Sequence, residues 1–346
     1  MNKKVMVGMS GGGDSSVTAA ILSEQGYSVG GATLILCPDD NGSNISDAKT
    51  VCDKMNIPHL VFELKEDFSQ FVIADFINKY FIGKTPNPCI ECNKHIKFGK
   101  MIELALQNGY DKIATGHYAR IEKNDAGRYI LRKAVDDSKD QSYVLYGLTQ
   151  EQLARVLFPL GEYTKPEIRK KAEELELINA NRPDSQDICF VPDGDYATFI
   201  EKNTGIIAKE GDYVDINGNV LGRHKGVIRY TLGQRKGLGI ALGKPAFVID
   251  KNSETNRVVL GDEEHLFKRC VRVENVNFIP FDKLDEKLRV TTKLRYRHSA
   301  QPAYIVPDGE KGIIIEFDEP QRAPSPGQAA VFYDGDIVVG GGTIVE

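Results

Sequence analysis

The sequence predicts an α/β N-terminal domain built on a parallel sheet, followed by two small β domains. Three observations lead there. Short apolar runs alternate with amphipathic stretches from Lys4 to Gly116, the pattern of a parallel sheet covered on both faces. The stretch GMSGGGDSSV, Gly8 to Val17, joins the first strand to the first helix, and a strand, a glycine-rich turn and a helix start together make an anion site. From about Gly205 helical periodicity fades. Short runs such as VDINGNVLG, FVIDKNSETNRVVLG and KGIIIEFDEPQ are then parted by Gly, Asn and Asp, as in all-β domains.

Taken in order, Lys4 to Met9 reads as a buried strand, and a helix follows from about Asp14 to Gln25, ended by Gly26. Tyr27 to Leu36 is a strand, Ser46 to Met55 a helix, His59 to Leu64 a strand and Asp67 to Phe81 a longer helix. Another helix lies between His95 and Gln107, before a strand at Asp111 to Gly116. HYARIEKNDAGRYILRKA predicts a β-hairpin turning at Asn124 to Gly127. Thr164-Lys-Pro-Glu167 is a capping box that opens a helix to about Leu177. The expected domains are residues 1–204, 205–270 and 271–346.

Of the 346 residues, 41% are apolar and 27% charged, enough for a core and a solvated surface. There is no run of about 18 apolar residues and no signal-peptide pattern, so a cytoplasmic protein without a membrane partner is expected. The net charge of −5 gives no global sign of a nucleic-acid binder. Its distribution says more. Ile216 to Ile249 holds no acid but carries Arg223, Lys225, Arg229, Arg235, Lys236 and Lys244; Lys287 to Pro307 holds none but carries Lys287, Arg289, Lys293, Arg295 and Arg297. Such stretches suit a polyanion, or are solvated strand faces.

The glycine loop imitates two familiar motifs and satisfies neither. Gly8 to Gly13 has the Walker spacing, but Asp14 stands where lysine should neutralise β- and γ-phosphates. Gly11 and Gly13 fit the dinucleotide motif, but Ser16 occupies its last position. What remains is Ser10-Gly-Gly-Gly-Asp14-Ser15, in which hydroxyls and backbone N–H groups hold phosphate oxygens, and Asp14 is a magnesium partner or an orienting group. This resembles the pyrophosphate loop of PP-loop ATP-pyrophosphatases.

Six cysteines are too few for a disulfide framework in a chain of this length. Cys37, Cys52 and Cys270 are expected in the core. Cys89 and Cys92 stand in TPNPCIECN, where two prolines fix an extended loop. A helix expected to start soon after Cys92, at about Lys94 to His95, would lower their pKa and favour thiolate. Cys189 closes the polar loop Asp184-Ser-Gln-Asp-Ile-Cys189.

The PP-loop, TPNPCIECN, ATGHYARI, KDQSYVLYGL, DSQDICF, TLGQRKGLG, LRYRH and SPGQAAVFY occur in this order along essentially the whole chain. Together they closely resemble the tRNA-specific 2-thiouridylase family of the MnmA/TrmU type. The resemblance implies an adenine-nucleotide α-hydrolase fold for the N-terminal domain and a C-terminal β-barrel. It implies that ATP adenylates the C2 oxygen of the wobble uridine in Lys, Glu and Gln tRNAs. Sulfur then arrives as a persulfide on Cys189 from a cysteine desulfurase or a sulfur relay, and Cys92 assists, ending in a disulfide between the two. ATP, used with Mg2+, falls to Gly8, Met9, Ser10, Gly11, Gly12, Gly13, Asp14 and Ser15, with Leu34 beside adenine and Gly116. The target base falls near Asn87, Pro88 and Cys89, and further tRNA contacts to His117, Lys139, Asp140, Gln141, Arg295, Tyr296 and Gln328.

Two positions depart from the usual family pattern. Cys89 replaces an aspartate proposed as general acid, so that Cys89, Cys92 and Cys189 could instead ligate an iron–sulfur cluster. Gly13 replaces an apolar residue, which loosens the loop. Two other functions fit less of the sequence: an amide-forming PP-loop ligase, and a non-catalytic tRNA-binding protein with a relic nucleotide site.

Overall fold

The computed structural model describes residues 3–37, 42–176, 188–309 and 312–345. Strands β1 (Lys4–Gly8), β2 (Ser28–Ile35), β3 (His59–Glu63), β4 (Lys112–Ala114) and β7 (Val156–Leu157) form one parallel sheet in the order β3-β2-β1-β4-β7. Val5, Met6 and Val7 are each fully buried, because helices cover both faces. That is why β1 reads as an unbroken apolar run with no alternation. The first helix, Gly13–Glu24, begins straight after the glycine loop.

Two helices differ from expectation. The one next to TPN starts at Pro88, well before His95, and runs through Pro88–Glu91, Cys92–Lys100 and Met101–Gln107. Asn87 Oδ1 accepts from Cys89 N at 3.1 Å and Pro88 takes the first helical position; both are helix-start signals. Its middle stretch is π-helical, a geometry that recurs at functional sites. The helix opened by the Thr164 capping box is Lys165–Glu174, and Leu177 lies outside the described residues.

The hairpin β5 (Ala119–Lys123) and β6 (Tyr129–Lys133) forms as expected, but it does not belong to the parallel sheet. The central strands β8 (Gly211–Val214), β9 (Val220–His224), β10 (Phe247–Asn252) and β11 (Arg257–Gly261) make a small sheet ordered β10-β11-β8-β9. Strands β12 (Phe267–Phe278), β13 (Leu288–Lys293), β14 (Gln301–Asp308), β15 (Gly312–Arg322), β16 (Ala329–Asp334) and β17 (Ile337–Ile344) come next, in the order β12-β15-β14-β13-β16-β17. The β12–β17 pairing closes them into a six-stranded antiparallel barrel. Hairpin strand β6 pairs with β17, and Arg120 reaches Asp336 of the β16–β17 turn at 2.7 Å. The N-terminal part of the chain thus lends two strands to the barrel's sheet.

The basic stretches are not acid-free in space. Arg223 pairs with Asp212, Arg229 with Glu201, Lys244 with Asp262, Lys287 with Glu316 and Arg289 with Asp318. Arg235 and Lys236 stay exposed on a loop whose glycines Gly233, Gly237 and Gly239 have positive φ.

Candidate active site

The glycine loop lies at the C-terminal edge of β1. Gly11 turns it at φ 72°, with Asn44 O so near that a side chain there would collide at 2.9 Å. Ser10 and Ser15 hydroxyls are 3.4 Å apart, and the Ser15 and Ser16 hydroxyls both donate to Gly12 O at 3.0 Å. Gly116, just past β4, is packed onto this loop. A Cβ there would stand 3.1 Å from Asp14 C and 3.2 Å from Ser15 N. Leu34 is half-buried near the end of β2, the strand next to β1.

The loop has a lysine after all. Lys165 Nζ lies 2.8 Å from both carboxylate oxygens of Asp14, and Tyr118 OH donates to Asp14 Oδ1 at 3.2 Å. Lys165 is delivered by the Thr164–Glu167 capping box, and its own N–H donates to Asp136 Oδ2 at 2.9 Å. Sequence reasoning finds that capping box but does not assign its lysine; the first position of a helix is the available signal. Tyr118, inside ATGHYARI, is missed in the same way.

The thiols gather at the same edge. Cys37 lies just past the C-terminal end of β2, and it packs, with Ile188 next to Cys189, against the buried cluster that contains Cys92. Phe190 is wedged edge-on between Phe68 and Phe76, which anchors its neighbour Cys189. Residues 184–187 of the polar loop lie outside the described residues. Phe98, on the same helical stretch as Cys92, packs its ring 5.5 Å from that of His117, whose neighbour Gly116 is packed on the phosphate loop.

The expected thiolate character of Cys92 is not found. The helix begins at Pro88, which leaves Cys92 inside it and buried, and burial pushes its pKa to about 11. Cys189 is exposed, yet desolvation is the largest cause of its raised pKa, with Lys97 opposing. Cys89 is exposed, and all six cysteines are free thiols. Of the three cysteines expected in the core, only Cys52 is buried; Cys37 is half-buried beside the thiols and Cys270 is exposed on β12. Among the described residues, no group of three or more His, Cys, Asp or Glu side chains is gathered to hold a metal ion, so Cys89, Cys92 and Cys189 do not fit a cluster as arranged.

The other expected site residues form fasteners. His117 Nδ1 is 2.6 Å from Thr115 Oγ1 and the ring lies between Phe98 and Phe158, where desolvation and then Lys97 hold its pKa well below the usual histidine value. Asp140 is buried and accepts from Ala134 N, Ser142 N and Ser142 Oγ. Gln141 Oε1 accepts from Tyr118 N at 3.0 Å, and Lys139 is half-buried. Arg295 Nη2 donates to Ser325 Oγ at 2.8 Å and Ala323 O at 3.1 Å, Tyr296 OH to Asp140 O at 3.3 Å, and Gln328 Nε2 to Thr85 O at 2.8 Å.

This is a nucleotide-type α/β domain with a thiol-lined sheet edge and two appended β domains. Residues 3–193 match the family described as tRNA methyl transferase HUP domain, 197–262 the tRNA methyl transferase PRC-barrel domain and 268–344 the aminomethyltransferase beta-barrel domain. Over 355 residues the chain is 53% identical to the tRNA-specific 2-thiouridylase MnmA of Clostridioides difficile (strain 630), covering 99% of this chain and 98% of that protein. It is 52% identical over 355 residues to the protein of the same name from Acetivibrio thermocellus, covering 99% of each. The chain belongs to the tRNA-specific 2-thiouridylase family. Among the described residues, no helix is long and apolar enough to cross a membrane.

Proposed function

We propose that this protein is a tRNA-uridine 2-sulfurtransferase that replaces the C2 oxygen of the wobble uridine in Lys, Glu and Gln tRNAs by sulfur, in the cytoplasm and at the expense of ATP. The observation that supports the reading is that the helix of Cys89 and Cys92 packs through Phe98 on His117, next to the Gly116 that packs on the phosphate loop. An amide-forming ligase has no use for those thiols, and a relic nucleotide site has no use for a lysine held on Asp14.

The residues divide the work. Backbone N–H groups of Gly11 to Asp14, with the Ser10 and Ser15 hydroxyls, cradle the β,γ-pyrophosphate as it leaves. Asp14 would hold the magnesium that accompanies ATP, which would neutralise phosphate charge. Lys165, held at Asp14, would bind a phosphate oxygen. The uridine, flipped from the anticodon stack, lies near Asn87 to Cys89. Its O2 attacks the α-phosphorus and pyrophosphate departs. The terminal sulfur of a Cys189 persulfide then attacks C2 and AMP leaves. The Cys92 sulfur attacks Cys189 Sγ, its thiol proton passing to the departing 2-thiouridine; the S–S bond to the uridine breaks, and a Cys92–Cys189 disulfide is left, which an external thiol reduces. The persulfide sulfur comes from a cysteine desulfurase or a relay protein.

The test is pyrophosphate release from ATP, which is expected with unmodified tRNA and absent with tRNA already thiolated at the wobble position. Equal release with both would contradict the reading.

A further inference from the structure

Gln328 falls to tRNA by resemblance, but in this structure its side chain is fastened to the loop in front of the thiols. The turn that carries it is fixed to the barrel: Gln328 N donates to Ser325 O at 3.0 Å, Gly327 N to Ile344 O at 2.9 Å and Ile344 N to Gln328 O at 2.8 Å. From this base the turn grips the segment Thr85–Pro86. Thr85 N donates to Pro326 O at 2.8 Å, and Gln328 Nε2 donates to Thr85 O at 2.8 Å and to Pro86 O at 3.5 Å. Gly327 has φ 91°, and a Cβ there would stand 2.9 Å from both Thr85 N and Lys84 Cβ, so nothing larger fits without moving the loop.

The gripped segment leads directly into the helix of the thiols. Gly83 and Lys84 are bonded back to the preceding helix, at Tyr80 O and Lys79 O. Thr85 and Pro86 take their bonds from the barrel instead. The next residue, Asn87, caps the helix that carries Cys89 and Cys92. Arg295 ties the same turn, through Ser325 Oγ and Ala323 O, to Leu232 O of the basic central loop at 3.4 Å. A loop that must present a base to an activated phosphate and a thiol loses rate steeply when displaced by about an ångström.

We propose that the barrel turn Pro326–Gln328 is a positioning element of the catalytic site, with Gly327 and the Gln328 amide setting where Asn87 to Cys89 stand. The barrel is then part of the active site and not only an RNA-binding appendage. This rests on the thiolation reading for its kinetic consequence and on geometry alone for its structural one.

The experiment uses the full-length protein. Iodoacetamide labelling of Cys89 without tRNA is read by peptide mass spectrometry, beside kcat and KM for tRNA in a thiolation assay. In Gln328→Ala, Cys89 labelling is expected to change about threefold or more, and kcat to fall about tenfold with KM for tRNA nearly constant. Gly327→Ala, which removes no group that RNA could contact, is expected to show the same pair of effects. A raised KM for tRNA with Cys89 labelling unchanged in Gln328→Ala would overturn the proposal, since that is the signature of a residue that only meets RNA. Buried Cys52 reports folding; if Gly327→Ala labels there, Gln328→Ala alone decides. Absence of thiolation by the unaltered protein would overturn the functional reading and leave Cys89 labelling to decide this one.

Discussion

Lys165 Nζ stands 2.8 Å from each carboxylate oxygen of Asp14, across 151 residues of sequence. The loop that lacks a lysine in its own motif is given one by a helix start elsewhere in the chain. The pair is partly buried, with the two side chains 12% and 28% exposed, so solvent screens it incompletely. A cation held against the loop's only carboxylate is poised to follow the negative charge when phosphate enters.

Lys165→Met is therefore expected to lower kcat/KM for ATP by about a hundredfold, with Lys165→Arg partly restoring it. Steady-state pyrophosphate release measures both. An unchanged kcat/KM for ATP in Lys165→Met would remove the lysine from the reaction.

Gly116→Ala forces a methyl group to within 3.1 Å of Asp14 C and 3.2 Å of Ser15 N. The loop must shift by a few tenths of an ångström. The expected result is a KM for ATP raised about tenfold with little change in melting temperature, read by calorimetry and ATP titration side by side.

Much of this is legible in the sequence, and the rest is hidden for a physical reason. The strand–glycine–helix unit is local, and the apolar run Val5 to Val7 between Lys4 and Gly8 announces a strand buried on both faces. The contact of Lys165 with Asp14 is tertiary, and the capping box shows only where a helix starts. The early start of the Cys89–Cys92 helix is readable from Asn87-Pro88, an N-cap and a first-turn proline, but two prolines within three residues of a cysteine read as easily as a fixed loop. That the Ala119–Lys133 hairpin joins the barrel depends on the distant Ile337–Arg132 pairing. Charge misleads for the same reason: the acids that pair with Arg229 and Arg289 come from Glu201 and Asp318.

Burial sets the pH behaviour of the thiols. With its pKa near 11, Cys92 is almost wholly protonated at neutral pH. Its alkylation in the free protein is expected to rise about tenfold per pH unit between pH 8 and 10 and to level off above pH 11. Peptide mass spectrometry after timed iodoacetamide pulses measures it. A plateau already reached by pH 8 would show that the thiol is not desolvated.

Lys251 offers a second pH test, remote from the chemistry. Its amine is buried, donates to Tyr230 O at 2.8 Å, and has a pKa pushed down from 10.5 to about 8 by desolvation. The folded state prefers the neutral amine, so between pH 8 and 10.5 the unfolded chain binds more protons and stability rises with pH. Below pH 8 both states are charged and the cost is constant. Lys251→Met is expected to be more stable at pH 7 by about 1–3 kcal/mol, with the gap closing as pH approaches 10.5. Urea unfolding at pH 7 and pH 9.5 compares them; a gap that does not narrow with pH would contradict the assignment.

In the proposed reaction, sulfur enters the wobble uridine through Cys189 and Cys92 after adenylation at the glycine loop. The measurement that tests it most directly is mass spectrometry of tRNA incubated with the protein, ATP, magnesium and a cysteine desulfurase with cysteine, run beside the Cys92→Ser and Cys189→Ser variants. With the unaltered protein, one oxygen is expected to be replaced by sulfur at the wobble uridine. Each variant is predicted to give pyrophosphate release without sulfur. Sulfur entering at full rate in either variant, or unmodified tRNA from the unaltered protein, would contradict it.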